Sequence, residues 1–352
     1  MLRWLIGANF WMLPAAVALS FLVNFFGIRR LIKFFHTIAE YQPIREARDG
    51  GVLVDHSAKA KTPTMAGLIM AGTIFLNIVL FADLTSPIIW GYIILLLSFA
   101  FVGFLDDLYK IYYMDPFGFQ GSKKLIIQLI ISALTVLLII YHNIDYMDLP
   151  VFLPIINQNI FLGALGAGFF TIIITGSSNA ANITDGLDGL LSMPVALICL
   201  TFIFIAAMDV VGIKPLPINL ERETLMDILV ILCSTATCFL SFLIFNFKPA
   251  KIFMGDVGSL FSGAILCYTA ALLKIEFVYA LMAALFICEI LSSTLQAGCL
   301  MLTDGKKRIF KMAPFHHHLE KSGWGEKKIV LTLWGFCFLC CVLSLIMYWL
   351  CF

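Results

Sequence analysis

Charge is what this chain of 352 residues has least of: Asp, Glu, Lys and Arg make up 13% of it, about half the usual share in a soluble domain. Hydrophobic residues reach 61% and phenylalanine alone occurs 32 times, more apolar surface than a water-soluble fold can hide. There is no Pro/Gly/Ser linker, no charge block, no low-complexity tract and no internal repeat. Those absences exclude a multidomain or repeat architecture and leave one integral membrane domain over residues 1–352. The ten cysteines all fall in or beside apolar stretches, where free Cys packs as a small hydrophobe. A disulfide framework is therefore not expected, and Cys337–Cys340 is formally C-x-x-C but sits within an apolar stretch. A cleaved leader is not expected either, because the first apolar stretch runs on through Phe26 and ends in Arg29–Arg30.

What the chain has instead is about ten stretches long enough to cross a hydrocarbon core as helices, near 7–27, 66–83, 88–105, 125–141, 159–176, 189–208, 226–245, 257–273, 277–300 and 329–350. They lack the alternation of a membrane β-barrel, so an all-α membrane protein is expected. Of the 23 Lys and Arg residues, nineteen lie in the loops after the first, third, seventh and ninth stretches. The positive-inside bias makes that side cytoplasmic, and ten spans then put both termini outside. The net charge of +1 hides this asymmetry. The basic rim suits membrane lipid headgroups or an anionic substrate, and no nucleic acid is expected.

Four polar clusters fall on the expected cytoplasmic side. The sequence D-D-L-Y-K at 106–110 puts two carboxylates side by side, with Lys110 one turn from Asp106. The sequence N-A-A-N-I-T-D-G-L-D-G-L at 179–190 holds Asn182, Asp185 and Asp188 at spacing three in a loop without Lys or Arg. Carboxylate and amide oxygens of this kind suit Mg²⁺, with a polar turn as the bland alternative. Glycines at 186 and 189 permit close approach of a ligand. The stretch at 246–260, N-F-K-P-A-K-I-F-M-G-D-V-G-S-L, sets Asp256 at a helix start, where free N–H groups favour phosphate or carboxylate or simply cap the helix. Last, A-P-F-H-H-H-L-E at 313–320 gathers half of the six histidines. Phosphate contacts suit three consecutive rings better than ligation of one ion. Glu289, inside the ninth stretch, reads either as a buried hydrogen-bonding group or as a cleft residue. Carboxylates for Mg²⁺, cations for phosphates and access to lipid are the parts of phosphoryl-group chemistry.

These motifs resemble the polyprenyl-phosphate N-acetylhexosamine-1-phosphate transferase superfamily. D-D-x-x-K, N-x-x-N-x-x-D-G-L-D-G-L and F-M-G-D-x-G-S carry the superfamily likeness, and the run from Gly305 through Glu320 is similar to the phospho-N-acetylmuramoyl-pentapeptide transferase family. The chain departs where the family reads A-G-T-P-T-M-G-G, with Lys61 and Ala66 replacing two glycines. The resemblance implies Mg²⁺-dependent transfer of phospho-MurNAc-pentapeptide from its UDP carrier to undecaprenyl phosphate, giving lipid I and UMP, by a homodimer in the bacterial inner membrane with a cytoplasmic active site. It implies Asp256 as Mg²⁺ ligand with Asp185 and Asn182, Asp106 as a base toward the lipid phosphate, Asp107 in support and Lys124 on phosphate with Lys110. It implies that Asn182, Asp185 and Asn246 line one polar centre. Gly186, Leu187, Asp188 and Phe253, with Lys59, would form a uridine pocket, and His316, His317 and His318 would contact the sugar diphosphate. Direct attack and a covalent aspartyl intermediate both stay open. The competing readings are a GlcNAc-1-phosphate transferase of the same superfamily, which lacks a reason for the His run, a transporter, which expects charge at mid-span, and an inert scaffold.

Overall fold

The computed structural model describes residues 10–38, 62–113, 118, 121–142, 150–153 and 158–351. Among the described residues the chain forms twelve helices and one hairpin. In order these are α1 (Met12–Ile38), α2 (Gly67–Phe81), α3 (Pro87–Tyr113), α4 (Gly121–His142), β1 (Pro150–Leu153), β2 (Gln158–Phe161), α5 (Ala164–Thr184), α6 (Ser192–Val210), α7 (Arg222–Asn246), α8 (Gly255–Leu273), α9 (Glu276–Met282), α10 (Ala284–Leu302), α11 (Phe315–Lys321) and α12 (Glu326–Cys351). Eight of the helices are long and apolar enough to cross a membrane. The chain is a multi-pass helical membrane protein.

Three expectations need correction. The chain is not purely helical: β1 and β2 pair antiparallel, Pro150 opposite Phe161 and Leu153 opposite Gln158. The fifth apolar stretch therefore begins as a strand, and its helix starts later and runs to Thr184. The second stretch yields a helix of only 15 residues. The ninth is broken at Ala283 into α9 and α10 although neither Pro nor Gly lies there.

Helix α8 is the axis of the bundle. Every residue from Val257 to Leu273 is buried, packed against α2, α3 and α5. Where lipid offers no hydrophobic drive, helices hold together by close packing and interhelical hydrogen bonds. Both are present. A Cβ on Gly103 of α3 would fall 2.3 Å from the Asp256 carbonyl oxygen, and one on Gly67 of α2 would fall 2.2 Å from the Gly258 nitrogen. Tyr92 and Thr269 hydroxyls bond α3 to α8 at 2.8 Å, and Asn24 bonds α1 to α7 through the Cys238 carbonyl (2.8 Å) and Ser241 Oγ (2.7 Å).

The close approach at Gly103 is testable. Gly103→Ala meets backbone atoms that cannot turn aside, so it should destabilise by about 1–3 kcal/mol as an overpacked site. Gly72→Ala, with nothing within 4 Å of the added carbon, should leave the melting temperature in detergent unchanged or slightly raised. Equal melting temperatures for the two variants would contradict the packing.

Candidate active site

The helices bring one end of α3, α4 and α8 together over residues that the sequence scatters. Asp106, Asp107 and Lys110 share the end of α3, because spacings of three and four place them along one face. Lys124 stands in the first turn of α4, and Asp256 in the first turn of α8. Lys110 Nζ lies 2.5 Å from Asp106 Oδ2, 3.6 Å from Asp107 Oδ1 and 3.1 Å from Asp256 Oδ1. Lys124 donates to Asp256 Oδ2 and lies 3.8 Å from Asp106 Oδ2. Asp107 Oδ2 accepts the backbone N–H of Val257 at 3.3 Å, which fastens α3 to the start of α8. Asp106, Asp107, Lys110 and Lys124 are all buried.

Three carboxylates against two ammonium groups leave one formal negative charge in a buried place. One oxygen from each of Asp106, Asp107 and Asp256 can be chosen so that all lie within 4.8 Å of one another. All donors are hard oxygens, so the cluster fits a hard divalent cation and not a soft one. Asp185 is not among these gathered carboxylates. Asn182 reaches α8 one turn further on, its Nδ2 donating to Ser259 Oγ at 2.8 Å. Asp185 caps the end of α5.

Beside the cluster, the loop after α5 is held from three directions. The Asp188 N–H donates to Glu326 Oε1 (3.0 Å), while Asp188 Oδ2 accepts from Ala250 N–H (3.1 Å). Gly189 N–H donates to Asn246 Oδ1 at 2.8 Å, and Asn246 Nδ2 donates to the Ile252 carbonyl at 3.1 Å. Trp334 Nε1 donates to the Gly189 carbonyl at 3.2 Å, and Lys248 pairs with Glu326. Asn246 is thus spent on backbone groups, and Leu187 is buried in the apolar core. Only Gly186 of this loop is exposed. Phe253 joins the first loop to α8 through its backbone, donating to the Pro63 carbonyl and accepting from Ala66 N–H. Lys59 lies outside the described residues.

The three histidines separate in role. His316 is buried with Nδ1 3.0 Å from Glu289 Oε2. His317 Nδ1 lies 2.6 Å from Glu320 Oε2, and burial pushes this ring below its usual range against the pull of that carboxylate. His318 Nδ1 accepts from Lys311 N–H at 3.1 Å while its ring stacks on Phe315. Sequence reasoning missed Glu326, Lys248 and Trp334, which hold the 185–189 loop. Glu326 stands in the first turn of α12, where an acidic residue is ordinary, and its partners are far away in sequence.

The charge balance predicts a variant. Lys110→Met leaves three carboxylates, Asp106 and Asp107 of them buried, facing Lys124 alone, and removal of one partner from a buried ion pair costs about 3–5 kcal/mol. Its melting temperature should fall in EDTA and recover largely when Mg²⁺ is added. A melting temperature indifferent to Mg²⁺ would mean that the cluster takes no divalent cation.

Comparison with known proteins agrees with this site. Residues 89–274, from α3 to just past α8, match glycosyl transferase family 4. The chain is 40% identical over 322 residues to a phospho-N-acetylmuramoyl-pentapeptide-transferase of Rickettsia bellii (strain OSU 85-389), covering 90% of this chain and 86% of that one. It is 39% identical over 310 residues to the protein of the same name from Rickettsia akari (strain Hartford), covering 86% and 83%. With the Rickettsia prowazekii (strain Madrid E) protein of that name it shares 38% over 332 residues, covering 91% and 88%. With its charged cluster inside the matched region and its length covered nearly end to end, the chain belongs to the phospho-N-acetylmuramoyl-pentapeptide-transferase family within glycosyl transferase family 4.

Proposed function

We propose that this enzyme transfers phospho-MurNAc-pentapeptide from UDP-MurNAc-pentapeptide to undecaprenyl phosphate, releasing UMP and forming lipid I. The observation that carries the reading is the buried cluster of Asp106, Asp107, Asp256, Lys110 and Lys124 at one end of an apolar bundle. In this reaction an oxygen of the acceptor phosphate bonds to the sugar-side phosphorus of the donor diphosphate, and the bridging P–O bond to UMP breaks. Both reactants are anions near neutral pH, so their repulsion is the larger obstacle. Mg²⁺ is the hard divalent cation we assign to Asp256 and its neighbours, and when bound it neutralises charge on the diphosphate. Lys110 and Lys124 add two fixed positive charges at the same spot. Asp106 and Asp256 are both engaged by ammonium groups, which favours their service as anchors and supports direct in-line attack over a covalent aspartyl intermediate.

The lipid side has a matching feature. A cavity of about 360 Å³ lies between α5, α8, α9 and α10, lined by Phe169, Ile173, Tyr279, Phe286 and Ile287 among others. It lies along α5, whose far end carries Asn182 beside the charged cluster. We assign it to the isoprenyl chain of the acceptor. The bias of Lys and Arg supports an orientation in the bacterial plasma membrane with the charged end in the cytoplasm and both termini outside. A homodimer is the assembly we propose, to be checked by mass in detergent.

The decisive assay measures UMP release in detergent. Release should occur with UDP-MurNAc-pentapeptide and undecaprenyl phosphate, stop with EDTA, and fall at least ~10²-fold in Asp256→Ala, the scale of losing one preorganised electrostatic contact. Release with UDP-GlcNAc instead would move the chain to the sister activity. Ile287→Trp, at a partly exposed lining position, should raise KM for undecaprenyl phosphate and leave KM for the nucleotide donor unchanged. A parallel rise in both would remove the lipid from the cavity.

A further inference from the structure

Helix α10 carries a buried polar stripe that the charged cluster does not use. Glu289, Ser292 and Gln296 lie along one face, all buried. Gln296 Oε1 accepts the backbone N–H groups of Ile309 (3.1 Å) and Phe310 (3.0 Å). Two turns back along α10, Glu289 Oε2 accepts the backbone N–H of His316 (3.3 Å) and lies 3.0 Å from its ring Nδ1, where an ionised carboxylate, which can only accept, calls for the proton on Nδ1. The stripe therefore holds the segment between α10 and α11 in its middle, at Ile309 and Phe310, and the first turn of α11 at His316. A carboxylate with no exposure, in a helix long and apolar enough for a membrane, is costly to keep there without a task.

The consequence falls on the other ring nitrogen. With the proton of Nδ1 held by Glu289, His316 turns Nε2 away toward the loop after α5. A Cβ on Gly186 would fall 2.2 Å from it, so the ring lies flush against bare backbone. Nε2 is buried and has no hydrogen-bond partner among the described residues. A buried polar atom in that condition costs roughly 1–3 kcal/mol unless something satisfies it. The loop it faces has no Lys or Arg of its own between residues 179 and 190.

We propose that Glu289 is a positioning residue that acts on the nucleotide donor through His316: it fixes the ring's orientation and holds the Nδ1 proton, so that Nε2–H is presented at Gly186 to a diphosphate oxygen of the donor. The donor's identity rests on the transfer reaction proposed above; the Glu289–His316 contact does not. The arrangement follows the way carboxylates orient histidines bound to metals, with the phosphate oxygen in place of the metal. Here the imidazolium form is the working one, because only that form donates from both nitrogens.

Two measurements test this. In the first, kcat/KM for the donor is compared among the wild type, Glu289→Gln, His316→Ala and the double variant. Glu289→Gln should lose about tenfold to a hundredfold, the usual penalty for removing an orienting carboxylate, and should lose nothing more in the His316→Ala background. Equal losses in both backgrounds, with melting temperatures lowered alike, would make Glu289 a structural residue only. In the second, ¹⁵N-histidine spectra of the substrate-free protein are read, with His316→Gln assigning the signal. The His316 signal should report a protonated Nδ1 in the wild type, and addition of UDP should move Nε2 to the protonated state. A wild-type ring protonated only on Nε2 would overturn the proposal whatever the enzyme's substrate. A wild type that releases no UMP but shows the expected spectrum would instead overturn the transfer reaction and leave the contact standing.

Discussion

Two ammonium groups make the rest possible. Asp106, Asp107 and Asp256 could not stand together at the end of an apolar bundle without Lys110 and Lys124 between them, since several kcal/mol separate a buried paired charge from a buried bare one. The pairing in turn fixes the helices. Lys110 joins α3 to α8, and Lys124 joins α4 to α8. The glycines at 67 and 103 then let α2 and α3 come close enough to α8 for these contacts to form. Packing and electrostatics are here one constraint seen from two sides: the close approach that buries α8 is also what delivers Asp256 to its partners.

Much of this was legible in the sequence, for particular reasons. Ten apolar stretches announced helices because a lipid-facing chain has no cheaper way to satisfy its backbone. The α3 motif announced itself because Asp106 and Lys110 are one turn apart. Asp256 announced itself by its glycine neighbours at a helix start. The ion pair between Lys124 and Asp256 spans 132 positions, and no local pattern encodes it. The hairpin was hidden because Ile160, Phe161 and Leu162 run on into the apolar helix that follows closely. The break at Ala283 was hidden because no Pro or Gly marks it.

The polar loop after α5 shows a different limit. Its residues suggested ligands, yet Asp188 and Asn246 hold backbone groups, and the loop's shape is held by Glu326 and Trp334 of α12. A polar residue beside a site can serve by shaping the wall. Sequence pattern alone does not separate the two uses, because both favour the same short acids and amides. The histidine run makes the same point within three residues: His316 is anchored to α10, His317 to its own helix, and His318 to the strand of backbone before it.

The break at Ala283 gives α10 a second property. This helix borders the apolar cavity through Phe286 and Ile287 and grips His316 through Glu289, one turn from Phe286. The same helix therefore borders both the cavity assigned to the acceptor's chain and the ring assigned to the donor. A ligand that bound differently to two positions of this helix would shift the cavity wall and the ring together, and such coupling is reciprocal.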